Sequence, residues 1–138
     1  MKVLIDTNVV LDVLLKREPF YKDSFTVFQL ADQGSFVGYL SAASITDIFY
    51  FVRKHWRGTA DVHQILSNLI SLFSVAPVSE TTITNALALR WKDFEDAVQF
   101  NVAKENNFTQ IITRNESDYE TSDIPCVNPA EFIQAFDN

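Results

Sequence analysis

Carboxylates stand at the points of this chain from which distant segments can converge. Asp6 follows the apolar run Val3 to Ile5, Asp118 lies a few residues past another run, Phe108 to Thr113, and Asp93 and Asp96 are three residues apart. Residues at that spacing share a helix face, so Asp93 and Asp96 are able to point at the same place. Asp47 is the only acid in the segment Ala42 to Trp56. Like charges repel and each is penalised by desolvation, so carboxylates from separate segments meet only when a divalent cation or a shared proton compensates them. Oxygen-only donors suit Mg²⁺ or Mn²⁺, which bind through a few carboxylates and substrate phosphate. Such ions activate water and stabilise the charge that develops during in-line displacement at a phosphodiester.

Each acid also has a plainer use. Asp6 and Asp93 are good helix caps, Asp96 suits the first turn of a helix, Asp47 reads as a solvated helix residue, and Asp118 reads as a turn residue. Other chemistries have less support. Cys126 is the single cysteine, and His55 and His63 lie far from it, so neither a disulfide nor a zinc-type ligand set is available.

The elements that must position these acids follow from pattern. Lys2 to Ile5 reads as a buried strand, and Asp6-Thr7-Asn8 supplies capping side chains before an apolar-rich helix, Val9 to Leu15. Pro19 opens a second helix, with Phe20, Phe25, Phe28 and Ala31 on or near one face and Gly34 at its end. A strand, Ser35 to Leu40, precedes a helix from Ala42 to Trp56 that Gly58 breaks. Thr59 to Ser71 reads as helix, Leu72 to Ala76 as strand, and Ser79 with Thr82 begins a helix running to about Arg90. Asp93 caps the next helix, with Asp96 as its N3 partner, and that helix continues to Asn106. Strands at Phe108 to Thr113 and Ile124 to Val127 follow, and Pro129 starts a last helix through Phe136. Strands alternating with helices predict an α/β fold, a parallel sheet covered on both faces. Ligands of such sheets bind beyond the carboxyl ends of the strands, where Asp6 and Asp118 fall.

Composition bounds the rest. The 138 residues, 47% apolar and 13% aromatic, suffice for one core, so one domain over 1–138 is expected. A formal charge of −7 argues against broad electrostatic capture of nucleic acid, although carboxylates gathered for a metal contribute to that charge themselves. The run from Val3 to Leu15 superficially resembles a signal peptide, but Asp6 and Asp12 interrupt it and no small-residue cleavage site follows. No uninterrupted apolar run of about 18 residues is present, so no membrane span is expected, and the lone cysteine fits a reducing cytoplasm.

Together these residues resemble the PIN-domain ribonucleases, the class that includes VapC-type toxins of toxin–antitoxin pairs. The likeness spans nearly the whole chain. It rests on the run Val3-Leu4-Ile5-Asp6-Thr7-Asn8-Val9-Val10-Leu11-Asp12 and on Lys16-Arg17-Glu18-Pro19-Phe20, and further along on Asp93-Phe94-Glu95-Asp96-Ala97-Val98-Gln99 and Ile112-Thr113-Arg114-Asn115 followed by Asp118-Tyr119. The resemblance implies a three-layer α/β/α sandwich with a parallel sheet of four to five strands in the order 3-2-1-4-5. It also implies an acidic pocket for Mg²⁺ or Mn²⁺ that hydrolyses RNA. By that analogy Asp6, Asp47, Asp96 and Asp118 are the catalytic and metal-binding acids, with Thr7, Asn8, Asp93, Thr113 and Asn115 as supporting groups. Two features depart from the commonest toxin pattern: Asp47 stands where most have Glu, and Asp93 is an additional acid beside Asp96.

An RNA substrate, an antitoxin partner and a homodimer are the associations the resemblance implies. Lys16, Arg17, Arg53, Lys54, His55 and Arg57 are the residues to test for RNA contact, although Lys and Arg at helix ends also offset the helix dipole. Two other readings compete. One is a PIN-like binding module without catalysis. The other is a phosphoacceptor receiver domain, whose fifth strand is normally followed by Lys-Pro where this chain has Asn128-Pro129.

Overall fold

Alternation along the first strand sets the architecture. Val3, Leu4 and Ile5 in Lys2–Ile5 (β1) are all fully buried, but Val3 and Ile5 join one apolar cluster and Leu4 joins another. A strand with both faces covered must be central to a parallel sheet between helical layers. The structure, a computed structural model, describes residues 1–136; Asp137 and Asn138, at the end of the expected domain, lie outside the described residues.

After β1 come the helices Thr7–Leu14 (α1) and Tyr21–Asp32 (α2), the strand Val37–Ser41 (β2), and the helices Ala42–Trp56 (α3) and Val62–Leu72 (α4). The strand Ser74–Ala76 (β3) leads to the helices Glu80–Leu89 (α5) and Phe94–Glu105 (α6). The strand Gln110–Ile112 (β4), a 3-10 turn at Glu116–Asp118, the strand Cys126–Val127 (β5) and the helix Pro129–Gln134 (α7) complete the order. The five strands are parallel in the order β3-β2-β1-β4-β5, as the family resemblance implied. Val9, Phe28, Ile48, Leu69 and Phe132 bring α1, α2, α3, α4 and α7 onto one face. Ala86, Ala97, Val98 and Val102 bring α5 and α6 onto the other. Each such side chain, fully buried, contributes about 1.5–3 kcal/mol for the larger aliphatics.

Element boundaries follow local chemistry. Ser41 caps α3, Ser79 and Thr82 form a reciprocal capping box on α5, and Asn128 with Glu131 forms another on α7 behind Pro129. The helix expected from Thr59 begins instead at Val62, because the Asp61 side chain accepts from Gln64 N at 3.1 Å and fixes the start there. Leu72, expected in a strand, closes α4 instead. Gly38 in β2 is required by close packing: a Cβ there would lie 2.5 Å from Phe73 Cδ1. The sheet's connections run in opposite directions from β1 and β4, so the crevice between their carboxyl ends is the topological switch point.

Candidate active site

Asp6 sits at that switch point because the sheet register continues one residue past β1: its backbone N donates to Ile112 O at 2.9 Å. It occupies the N-cap position of α1, yet its side chain makes no cap hydrogen bond. The carboxylate faces inward. Gln99 Nε2 donates to Oδ1 at 2.7 Å, while Thr113 Oγ1 and Tyr119 OH donate to Oδ2 at 2.6 and 3.2 Å. Asn8 Nδ2 lies 3.4 Å from both Asp6 Oδ2 and Thr113 Oγ1, and Asn8 Oδ1 accepts from Arg114 N, so Asn8 ties α1 to the segment after β4. Burial raises the Asp6 pKa, and the hydrogen bonds from Thr113, Gln99 and Tyr119 partly oppose that rise.

The second part of the site comes from the start of α6. Asp93 is the N-cap, its Oδ1 accepting from Asp96 N at 3.1 Å. The same turn aims Asp96 inward, and Asp118 arrives from the 3-10 turn. Asp93, Asp96 and Asp118 each present a carboxylate oxygen within 4.8 Å of the others. Asp96, almost fully buried, has its pKa pushed up to about 8, first by desolvation and then by the charges of Asp6, Asp93, Asp118 and Glu95. Glu95 accepts a hydrogen bond from Thr7 Oγ1 at 3.0 Å, and its pKa is raised by desolvation and by Asp6, Asp47 and Asp93.

These donors fit a hard divalent cation. Mg²⁺ holds oxygens at 2.0–2.1 Å, so opposite ligands of one ion stand about 4.2 Å apart, within the spread of the trio. All three donors are carboxylates, and burial together with the surrounding negative charge raises the Asp96 pKa, a charge that a cation would offset. Asp6 and Asp47 are outside that trio. Asp6 lines the adjoining hollow of about 190 Å³ together with Thr7, Asn8, Glu95, Asp96 and Asn115. Asp47 is exposed on α3 and reaches the site as a charge acting on Glu95.

Of the basic candidates, Arg17 lines the acidic hollow. Lys54, His55 and Arg57 line a separate hollow of about 370 Å³ with Leu15 and Phe51. Lys16 is exposed with positive φ just beyond α1, and Arg53 lies exposed in the last turn of α3. Sequence reasoning passed over Glu95, Gln99 and Tyr119 as working parts of the site. Gln99 left a signal, since it is a polar residue one turn after Asp96 in the otherwise mostly apolar stretch Ala97 to Ala103.

The sequence model of the PIN domain family matches residues 2–117. Ribonuclease VapC1 of Aquifex aeolicus (strain VF5) is 23% identical over 140 residues, covering 96% of this chain and 94% of its own length. Among solved structures, FitAcB from Neisseria gonorrhoeae is similar with a TM-score of 0.70 at 19% identity, over 93% of this chain and 98% of that one. A toxin-antitoxin complex from Klebsiella pneumoniae has a TM-score of 0.70 at 20% identity, over 92% and 97% of the two chains. VapBC2 from Rickettsia felis, bound to a DNA fragment from its promoter, has a TM-score of 0.68 at 16% identity, over 93% and 98%. The acids gathered beyond β1 and β4 thus lie on a fold shared with these proteins, and the chain belongs to the PIN domain family.

Proposed function

We propose that the chain is a Mg²⁺- or Mn²⁺-dependent endoribonuclease, one nuclease domain over residues 1–138, acting as the toxin of a toxin–antitoxin pair. The observation that carries the reading is the convergence of Asp93, Asp96 and Asp118 beside the buried Asp6, where burial and the neighbouring carboxylates push the Asp96 pKa up to about 8. The relative named a ribonuclease and the neighbours solved as toxin-antitoxin assemblies support the same choice. Family membership sets aside the phosphoacceptor alternative.

In this reading Asp96, Asp118 and Asp93 hold the cation, and Asp6 and Glu95 border the space beside it. When bound, the ion supplies Lewis-acid stabilisation of a phosphodiester and lowers the pKa of water. Thr113, Gln99 and Tyr119 keep Asp6 in one orientation, and Thr7 does the same for Glu95. Arg17 is the cation placed to meet a substrate phosphate at the hollow's edge. An antitoxin segment with an Arg among these carboxylates is the simplest inhibitor, and a homodimer and a cytoplasmic location belong to the same proposal.

The test is RNA cleavage by the full chain with Mg²⁺ or Mn²⁺ and with EDTA. Cleavage that requires the ion and falls by more than about a hundredfold in Asp96→Asn, with the circular dichroism of the wild type retained, supports the reading. Cleavage unaffected by EDTA refutes the metal-dependent mechanism. No cleavage of any RNA by the wild type leaves the binding-module reading.

A further inference from the structure

Arg114 and Glu116 flank Asn115, which borders the acidic hollow, and both line another hollow of about 630 Å³. Its wall includes Phe20, Asp23 and Ser24 from the start of α2 and Asn128 from the cap of α7. Arg114 is held rigidly there. Its Nε and Nη2 donate to Asp12 Oδ2 and Oδ1 at 2.6 and 3.0 Å, and Asp12 is wholly buried and also accepts from Ser24 Oγ. The guanidinium carbon lies 3.8 Å from the centroid of the Phe20 ring. Nη1, with its two N–H groups, donates to no described residue, although the side chain lines the hollow.

Charge decides what such a hollow takes. Asp12 neutralises Arg114, while Asp23 and Glu116 add two carboxylates to the wall, so a phosphate would meet net negative charge. A nucleobase carries no charge, offers ring acceptors to a guanidinium and amino donors to carboxylates, and its flat face suits the part of the Phe20 ring that Arg114 leaves exposed. Adenine and cytosine also present acceptors and an amino donor, but among the purines, whose faces are the larger, guanine alone sets two acceptors side by side, O6 and N7, for the two N–H groups of Nη1, and keeps N2 as a donor for a carboxylate. We propose that this hollow is a base-binding subsite for single-stranded RNA, with guanine its preferred occupant, lying beside the acidic pocket and selecting the sequence that is cut. The proposal rests on the ribonuclease reading for its role, but base binding is measurable without cleavage.

The experiment titrates the ¹⁵N-labelled full chain with 5′-GMP, 5′-AMP, 5′-CMP, 5′-UMP and inorganic phosphate. GMP is expected to move the amides of Asp23, Ser24, Glu116 and Ala130 at the lowest concentration, and phosphate to leave them in place. Asp23→Asn should weaken GMP binding by about tenfold, and Phe20→Leu should weaken all four nucleotides. Absence of any shift at these amides, or equal shifts with phosphate alone, overturns the subsite. If GMP binds here and the wild type cuts no RNA with Mn²⁺, the subsite stands and the nuclease reading falls. If RNA is cut and GMP leaves these amides unmoved, the nuclease reading stands and the subsite falls.

Discussion

Asp96 makes protein stability depend on pH, and in the proposed metal site it would make cation binding depend on pH in the opposite way. An unfolded Asp loses its proton near pH 3.8, whereas in the fold Asp96 holds it to about pH 8. Between those values the folded chain binds more protons than the unfolded one, so stability of the metal-free protein falls as pH rises and the loss is complete only above about 8. Asp6, also raised, adds to the same trend. Thermal unfolding in EDTA should therefore show a falling Tm from pH 5 to 8. Added Mn²⁺ should restore more at pH 8 than at pH 5, and Asp96→Asn should flatten both dependences; a Tm that rises over this range contradicts the assignment. For Asp6→Asn, the buried charge is removed but the amide must still meet Gln99 and the hydroxyls of Thr113 and Tyr119, which are able to turn and accept. The expected outcome is a change of about 1 kcal/mol in urea unfolding together with loss of RNA cleavage. The prominence of Asp6 was legible from its place after an apolar run. Its partners were not, because Gln99 and Tyr119 are 93 and 113 residues away and only the completed sheet brings them to it.

Elements were legible where a local signal decides them and drifted where tertiary contacts do. Asp93 and Ser79 cap helices as the sequence indicates, since a capping hydrogen bond closes within three residues. β4 is shorter than the expected Phe108 to Thr113 because only Gln110–Ile112 pairs in the ladder, and Thr113 turns its hydroxyl to Asp6. The tie between α1 and the segment after β4 was invisible in sequence: Asp12 interrupts an apolar run and, like Arg114, falls within a family motif, but nothing paired the two, and Asp12 is the buried partner of Arg114. Removing it by Asp12→Ala leaves a cation over a vacated acceptor. The full penalty of a broken buried pair is about 3–5 kcal/mol, but the Arg114 side chain is 22% exposed and regains some hydration, so a loss of about 2 kcal/mol is expected in denaturant unfolding. A value near zero would mean that the pair does not hold the two elements together. In β2, Gly38→Ala places a methyl against the Phe73 ring, which itself packs edge-on against Phe28 at 4.9 Å and has little room to move. Overpacking of about 1–3 kcal/mol should appear as a lowered urea midpoint with an unchanged m-value.

At the scale of the whole molecule, a net charge of −7 and a site made of acids constrain how the proposed RNA substrate would be approached. The class of fold was readable because alternating strands and helices leave few arrangements, whereas the charge alone was ambiguous, arguing against a nucleic-acid surface and fitting a metal site equally well. The arrangement of the acids favours the second side: Asp93, Asp96, Asp118, Asp6 and Glu95 converge, and Arg17 stands at the edge of their hollow. Without a cation this face repels phosphate, and long-range attraction from a protein of this charge gives no help. Binding of a fluorescent single-stranded RNA, read as anisotropy before turnover, should be weak in EDTA even at low ionic strength, where base contacts alone hold it, and should tighten at least tenfold, by about one decade in Kd, on addition of Mg²⁺. Because few phosphate-neutralising side chains take part, the bound state should weaken only gently as KCl is raised at constant Mg²⁺. Tight binding in EDTA that collapses steeply with KCl would place the RNA on a basic surface such as the Lys54 and Arg57 hollow, and would take the acidic site out of substrate capture.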